Sequence, residues 1–230
     1  MAKFYVEGLP HCDVRTLSGK LLVIEGADAS GRTSQINAIK SWLENQGYSV
    51  IDVGIKRSTL VSEELIEAQK GNTLFHTTMS LFYATDFADQ LENKIIPALR
   101  SGAVVLCDRY IYTLMARDTV RGASPEWLEK IYEFALIPHL VLYLQVEPER
   151  LVERYFEKNL RLGYWESGMD LGLAGNVFDS FILYQKKIKE AFLELRKKFP
   201  FHIIDGHQSI QEITKEIQKN ISPILDLPST

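Results

Sequence analysis

A glycine-rich segment, residues 26–34, has the residue types and spacing of a loop that binds phosphate groups. Gly26 and Gly31 bracket four residues, and Arg32 and Thr33 follow directly, which gives the pattern G-x-x-x-x-G-R-T. Glycine lets the backbone approach an anion closely, so successive N–H groups can point at phosphate oxygens. Thr33 supplies the hydroxyl group that such loops place on magnesium. The segment therefore predicts a cradle for the phosphates of a nucleotide.

The residue before Thr33 differs from the usual pattern, which has lysine at that position. Arg32 keeps the positive charge, but its guanidinium group is a planar fork and not a compact point charge. We expect Arg32 to deliver its charge to the β- and γ-phosphates, because it is the basic residue of the loop. The alternative is a strand-to-helix turn whose glycines serve packing alone.

A second candidate group follows the apolar run of residues 103–107, where Asp108 and Arg109 stand together. An acidic residue at the carboxyl end of a strand, in the same sheet as a phosphate loop, is well placed to hold magnesium through water. We therefore predict Thr33 and Asp108 as the magnesium site. The alternative role of Asp108 is to cap the next helix, which leaves the adjacent Arg109 unexplained.

A long helix is predicted over about residues 73–99, and one of its faces mixes aromatic and hydrogen-bonding groups. The residues of this face follow the spacing i, i+3, i+4 and i+7, and they are Tyr83, Asp86, Phe87 and Gln90. From the residues alone, an ordinary helix surface at the edge of the core is the favoured interpretation.

Short apolar runs that read as strands alternate with helical segments along the chain. The predicted strands are residues 21–24, 49–53, 103–107, 139–146 and 201–204. This alternation predicts an α/β fold with a mostly parallel sheet covered on both faces. Residues 163–175 contain four glycines and interrupt the helical pattern, so we predict a mobile loop there.

Composition limits the classes of partner and compartment. The 230 residues, 46% hydrophobic and 24% charged, suit one well-buried domain. A net charge of −4 argues against nucleic acid or a membrane surface as the main partner. Cys12 and Cys107 form neither a disulfide framework nor a metal-ligand spacing, and no signal peptide or membrane span is visible. We therefore expect a cytoplasmic protein.

Over about residues 20–221, the chain resembles the thymidylate kinase family, a branch of the P-loop nucleoside monophosphate kinases. The motifs that carry the resemblance are IEGADASGRT, LFYATDFADQ and VVLCDRYIYT. The resemblance implies a three-layer α/β/α fold with a five-stranded parallel sheet, a lid at about residues 150–176, and a homodimer. It implies transfer of the γ-phosphoryl group of ATP, with Mg²⁺, to a nucleoside monophosphate, with dTMP as the leading acceptor. Residues 1–19 form an extension of unassigned role, and residues 222–230 form a tail.

The resemblance also implies roles for individual residues. Catalytic roles fall on Asp28, Arg32 and Arg109. ATP binding falls on the loop residues Gly26, Ala27, Asp28, Ala29, Ser30, Gly31, Arg32, Thr33 and Ser34. Acceptor binding falls on Arg57, Tyr83, Phe87, Arg109, Thr113 and Arg117, with Arg57 on the acceptor phosphate and Tyr83 near the base. The lid candidates are Arg154, Arg161 and Tyr164.

Two departures from the family bear on the acceptor base. Phe87 stands where the family has a base-contacting arginine, and Arg117 stands where it usually has glutamine or an aromatic residue. If Arg117 restores the lost donor, dTMP stays preferred; if it does not, the chain discriminates poorly among pyrimidine monophosphates.

Two other functions stay open at this stage. One is a P-loop kinase for a different phosphate-bearing acceptor. The other is a nucleotide-binding module with weak or no catalysis, which the replacement of the loop lysine by Arg32 favours. Arginines on the acceptor side, Arg57 and Arg109, favour an enzyme, since a binding module has no need of them.

Overall fold

The computed structural model describes residues 2–71, 74–157 and 162–227, and in them five strands form one parallel sheet. The strands are β1 (Lys20–Gly26), β2 (Val50–Gly54), β3 (Val104–Asp108), β4 (Leu140–Gln145) and β5 (His202–Asp205). Their order across the sheet is β2-β3-β1-β4-β5, and every neighbouring pair is parallel. The predicted fold class is confirmed, and each predicted strand is present within two residues of its expected ends.

Nine α-helices connect and cover the strands within the described residues. They are α1 (Arg32–Asn45), α2 (Ser62–Gly71), α3 (His76–Gln90), α4 (Ile96–Arg100), α5 (Ile111–Val120), α6 (Pro125–Ile131), α7 (Pro148–Glu157), α8 (Val177–Arg196) and α9 (Ile210–Ile221). None of the helices in the described part of the chain is long and apolar enough to cross a membrane.

Successive residues of β1 point to opposite faces of the sheet, and both faces are buried. Leu21 and Val23 belong to the core shared with α3, α5 and α8. Leu22 and Ile24 belong to the core shared with α1 and α9. This two-sided burial explains why the strand reads as a continuous apolar run without alternation.

The long helix predicted over residues 73–99 is one helical rod with a π-helical segment, Leu91–Ile95, between α3 and α4. The Ile96 N–H donates to the Leu91 carbonyl, five residues back. Pro97 follows at the start of α4 and has no N–H to continue the ordinary ladder. The predicted start at Thr73 lies outside the described residues.

The N-terminal segment, residues 2–19, packs on the body of the protein. The Tyr5 and Val6 N–H groups donate to the carbonyls of Ala135 and Glu133, at 3.0 and 3.1 Å. The Tyr5 ring also meets the ring of Phe199 edge-on, with centroids 5.2 Å apart. The segment therefore covers the end of α8 and the chain that follows α6.

Candidate active site

The phosphate loop joins β1 to α1. Three of its residues, Gly26, Ala29 and Gly31, have positive φ angles of 152°, 63° and 101°, which turn the chain toward the start of the helix. Gly31 is the N-cap, and no side chain among the described residues caps the helix. The first N–H groups of α1 therefore remain available to an anion, and the positive end of the helix dipole lies at the same place.

Arg32 bends back along the loop and is only 8% exposed. Its Nε donates to Asp108 Oδ1 at 2.8 Å, and one terminal nitrogen contacts the carbonyls of Gly26 and Ala27. A planar fork can make all these bonds at once, whereas a lysine ammonium is a point charge. The guanidinium group of Arg32 is thus paired with Asp108. Its contact with the β- and γ-phosphates of ATP stays a prediction.

Three guanidinium groups surround the carboxylate of Asp28. Arg109 donates to Oδ1, Arg117 donates to Oδ2 at 3.1 Å, and a terminal nitrogen of Arg32 lies 3.9 Å from Oδ1. Burial raises the pKa of Asp28, but the three positive charges outweigh it and hold the pKa below its ordinary value. One carboxylate cannot neutralise three cations, so the cluster has positive charge to offer to phosphate.

Arg57 lies beside these residues, and its side chain is more exposed than those of Arg109 and Arg117. It pairs with Asp52 at 2.6 Å, and its second terminal nitrogen is 3.8 Å from Asp108 Oδ2. The four arginines of this group face three aspartates, which leaves a formal surplus of one positive charge. We call these seven residues the arginine cluster; they are Asp28, Arg32, Asp52, Arg57, Asp108, Arg109 and Arg117.

Arg109 has a backbone conformation that positions its side chain toward the phosphate loop. Its φ angle is +70°, a region that non-glycine residues seldom adopt, and its N–H donates to the Ile24 carbonyl at 3.1 Å. The Cys107 thiol donates to the Arg109 carbonyl at 2.9 Å. Backbone strain of this kind persists where surrounding contacts fix it, often at a functional site.

Glu25 is fully buried beneath the arginine cluster, and we did not single it out from the sequence. Its carboxylate accepts the Tyr110 N–H at 2.9 Å and the Thr113 hydroxyl. Burial raises the pKa of Glu25 to about 7, despite these hydrogen bonds and the nearby Arg109 charge. Thr113, a predicted acceptor contact, is therefore hydrogen-bonded to Glu25. The sequence feature that could have identified Glu25 is the presence of an acidic residue in the otherwise apolar strand β1.

The predicted face of α3 is buried as a whole, so it is not the helix surface that the residues alone favoured. Asp86 Oδ2 accepts the Lys56 N–H at 2.9 Å, and Gln90 Nε2 donates to the Gly54 carbonyl at 2.7 Å. These bonds fix the loop that follows β2. Asp86 and Gln90 therefore position Arg57 indirectly, by holding the backbone of the loop to which it belongs.

Phe87 packs inside an aromatic cluster. Its ring centroid is 5.0 Å from that of Tyr110 and 5.7 Å from that of Phe134. Tyr83, one turn earlier, lines a different space, and its hydroxyl accepts a hydrogen bond from Gln69 at 2.7 Å. The structure thus separates the two predicted base contacts, with Tyr83 at a cavity and Phe87 in the core.

A cavity of about 460 Å³, part of it open to solvent, lies between α3, α5 and the segment after α7. We call it the α3–α5 cavity. Residues that line it include Tyr83, Arg117, Asp118, Trp165, Glu166 and Tyr184. Because Arg117 lines this cavity and also contacts Asp28, the cavity adjoins the arginine cluster.

Residues 162–176, which include the predicted loop of residues 163–175, contain one 3-10 helix, Met169–Leu171, and no α-helix or strand, and Trp165 and Glu166 of this segment line the α3–α5 cavity. A buried ion pair anchors the segment, with Arg121 Nε 2.8 Å from Asp170 Oδ2. The Arg121 guanidinium also lies over the rings of Trp165 and Tyr184, at 5.5 and 5.1 Å. The mobility of this segment stays a prediction.

The predicted lid residues are distributed differently. Arg154 contacts the phosphate loop, donating to the Ser30 carbonyl at 2.9 Å and to the Gly206 carbonyl at 2.7 Å. Tyr164 is 46% exposed and meets the ring of Trp165 edge-on. Arg161 lies outside the described residues.

The residues predicted to hold magnesium offer oxygen atoms only. Thr33 is exposed in the first turn of α1, and the Asp108 carboxylate lies between Arg32 and Arg57. Within the described residues, no group of three or more His, Cys, Asp and Glu side chains could hold a metal ion. Magnesium usually binds through one or two protein oxygens, several waters and substrate phosphates, so this donor set fits an ion that arrives with a nucleotide.

Comparison with known proteins decides the family. A model described as thymidylate kinase matches residues 24–217. The chain belongs to the thymidylate kinase family. It is 35% identical over 211 residues to a probable thymidylate kinase 2 of Saccharolobus solfataricus, which covers 91% of this chain and 99% of the relative. A probable thymidylate kinase of Pyrococcus horikoshii is 29% identical over 87% of this chain and 95% of its own length. A thymidylate kinase of Thermoanaerobacter sp. (strain X514) is 28% identical, with 87% and 96% covered.

The part of the chain that matches the thymidylate kinase family contains the phosphate loop, the arginine cluster, the α3–α5 cavity and the segment over it. The N-terminal segment precedes the match. The family assignment therefore concerns the same residues that the geometry brings together.

Proposed function

We propose that this chain transfers the γ-phosphoryl group of ATP to dTMP and produces ADP and dTDP. The observation that supports this most is the arginine cluster, which lies between the phosphate loop and the α3–α5 cavity. Phosphoryl transfer requires little covalent chemistry from a protein; it requires that two phosphates be placed in line and their charge be stabilised.

On the ATP side, the free N–H groups at the start of α1 bind the phosphate oxygens of the donor. Arg32 and Arg109 exchange their carboxylate partners, Asp108 and Asp28, for the phosphates as these arrive. Asp28 keeps the guanidinium groups oriented before substrate binds. Bound magnesium would neutralise developing phosphate charge, and Thr33 and Asp108 are the residues that would hold it.

On the acceptor side, Arg57 binds the phosphate of dTMP, and Tyr83 forms part of the wall around the base. Arg117 connects the two halves, because it contacts Asp28 and also lines the α3–α5 cavity. Thr113 acts through Glu25, and Phe87 supports the site from the aromatic core. We assign the activity to residues 20–221, with residues 150–176 as the lid.

The direct test is turnover of ATP with a panel of nucleoside monophosphates and magnesium, followed by ADP release. We expect dTMP to be converted with the highest kcat/KM. If ATP binds but none of the monophosphates is converted at high enzyme concentration, the kinase assignment fails. Conversion of another acceptor, with dTMP inert, would leave a kinase of different specificity.

A second candidate is a nucleotide-binding module with weak catalysis. The observation that favours it is the engagement of Arg32 by Asp108 and two loop carbonyls. Tight ATP binding without any phosphoryl transfer in the same assay would identify this alternative.

We further propose that the chain acts in the cytoplasm as a homodimer, as the family resemblance implies. Large apolar side chains are exposed on and beside α2 and α3, namely Leu60, Phe75 and Leu81. Exposed apolar groups of this kind suit an interface. Light scattering should give twice the mass of 26.3 kDa, and a monomer at working concentrations would contradict this part.

A further inference from the structure

The N-terminal segment, which precedes the part of the chain that matches the family, is hydrogen-bonded to the start of α5. The Tyr5 and Tyr112 hydroxyl groups bond to one another, and Tyr112 lies in the first turn of that helix. Tyr112 is fully buried, and within the described residues its hydroxyl has no other hydrogen-bond partner. Burial raises the pKa of Tyr5 to about 12, so the pair stays protonated at neutral pH.

The backbone around Tyr5 is itself fixed to the body of the protein. The Tyr5 N–H donates to the Ala135 carbonyl at 3.0 Å, and the Ile137 N–H donates to the Lys3 carbonyl at 2.7 Å. These bonds hold the chain on both sides of the Tyr5 side chain. The Tyr5 hydroxyl is therefore a fixed point against which the first turn of α5 is held.

The same turn borders the arginine cluster. Arg109 stands just before α5, and the next residue, Tyr110, donates its N–H to a Glu25 carboxylate oxygen at 2.9 Å. The Thr113 hydroxyl donates to the other oxygen of Glu25. Tyr112 stands between these two contacts in the chain. Glu25 thus holds the turn from β1, and the Tyr5 hydroxyl holds it from the N-terminal segment.

We propose that Tyr5 is a positioning residue for phosphoryl transfer, and that its hydroxyl acts through Tyr112 to fix the start of α5 and the guanidinium groups of Arg109 and Arg117. This inference rests on the proposed function. Arginines of this kind contribute most when charge develops on the transferred group. The start of α1 and Arg57 belong to other elements and hold the substrates before transfer. A loosened α5 therefore lowers kcat more than it raises KM.

The test compares steady-state kinetics of the wild type, Tyr5→Phe and Tyr112→Phe with ATP and dTMP. Both rings pack against Phe199, with centroids 5.2 and 5.3 Å away, and phenylalanine keeps this packing while it removes the hydroxyl. We expect kcat of Tyr5→Phe to fall about three- to tenfold, the range for one net hydrogen bond, with KM for both substrates changed less than about twofold. The double variant should be no slower than the slower single variant, because both substitutions remove the same bond.

The matched control is Tyr48→Phe, which also removes one tyrosine hydroxyl. That hydroxyl donates to the Leu225 carbonyl at 2.8 Å, in the core shared with α1 and α9, whereas α5 belongs to the core on the other face of the sheet. Tyr48→Phe should leave kcat unchanged. Equal losses of kcat in Tyr5→Phe and Tyr48→Phe would show a general loss of stability and overturn the proposal, and so would a wild-type kcat in Tyr5→Phe.

Hydrogen exchange of α5 without substrates gives a measurement that does not depend on activity. Exchange in the first half of Ile111–Val120 should be faster in Tyr5→Phe than in the wild type, and unchanged in Tyr48→Phe. Unchanged exchange in Tyr5→Phe contradicts the proposal, and Tyr112→Phe decides if Tyr5→Phe does not fold. A wild type that converts no monophosphate refutes the proposed function instead, and the exchange of α5 then decides alone whether Tyr5 holds that helix.

Discussion

Arg32 illustrates how a single side chain connects the phosphate loop to the neighbouring strand. Its contacts with Asp108 and with the carbonyls of Gly26 and Ala27 hold the loop in shape without a ligand. Phosphates must compete with these contacts for the same guanidinium group. The existing contacts keep the guanidinium group oriented until the substrate arrives. Breaking them uses part of the free energy of phosphate binding.

We predict that Arg32→Ala lowers kcat for dTMP by roughly two to three orders of magnitude, since a charge-assisted contact to developing charge is worth about 3–4 kcal/mol. Arg32→Lys should keep much of the rate, because it keeps the charge. Steady-state kinetics test this, with thermal melts to show that both variants fold. A near-normal rate for Arg32→Ala would mean that another cation, such as Arg154, carries the charge.

Glu25 should make stability depend on pH. Its folded-state pKa of about 7 lies above the unfolded value near 4.5, so the folded protein holds this proton more tightly than the unfolded chain. The stabilisation is fully present below pH 4.5 and is lost as the pH rises through 7. The raised pKa corresponds to roughly 3 kcal/mol at most.

The measurement is the free energy of unfolding by urea at pH 5 and pH 7.5, for the wild type and for Glu25→Gln. Because glutamine cannot titrate, the wild type should lose stability relative to the variant as the pH rises. A constant difference between the two proteins across this range would show that Glu25 titrates at the same pH in the folded and unfolded states.

The segment over the α3–α5 cavity is anchored by the buried ion pair between Arg121 and Asp170. Removing one partner of a buried pair leaves an uncompensated charge and typically costs about 3–5 kcal/mol. We predict a loss of this size for Asp170→Ala, with faster hydrogen exchange in residues 163–175. Glu153→Ala, which breaks an exposed pair with Arg150, should cost less than about 1 kcal/mol. Equal effects of the two substitutions would contradict the anchoring role of Asp170.

The same segment should respond to ligands. A two-substrate analogue is expected to slow hydrogen exchange in residues 163–175, because closure over a transfer site excludes water. The exchange of α9, on the far face of the sheet, serves as the internal reference. Identical exchange of residues 163–175 with and without the analogue would argue against a lid.

The elements were predictable where the hydrophobic pattern specifies them. The five strands were confirmed, because an apolar run specifies a buried strand locally. The π-helical segment before Pro97 was not predictable, since it depends on how the chain redistributes hydrogen bonds around a missing N–H. The burial of Asp86 and Gln90 was likewise hidden, because their partners lie on the distant loop after β2.

For the molecule as a whole, the parallel sheet explains why the site assembles. Ile24 of β1 is paired with Asp108 of β3, so the phosphate loop and the Asp108–Arg109 pair emerge side by side. Ligands bind beyond the carboxyl ends of strands in sheets of this type. Residues at these strand ends, such as Asp28 and Arg109, could be predicted from motif and order. Glu25 could not, because its importance comes from its burial and its hydrogen bonds to distant residues in the folded protein.

The central claim is that the arginine cluster transfers phosphate between two nucleotides and does not merely bind one. The most direct measurement follows the labelled γ-phosphate of ATP during incubation with dTMP and magnesium. We predict that the label appears in dTDP, and that Arg109→Ala reduces its appearance by at least about a hundredfold. Label that stays in ATP, or that is released only as free phosphate, would contradict the account.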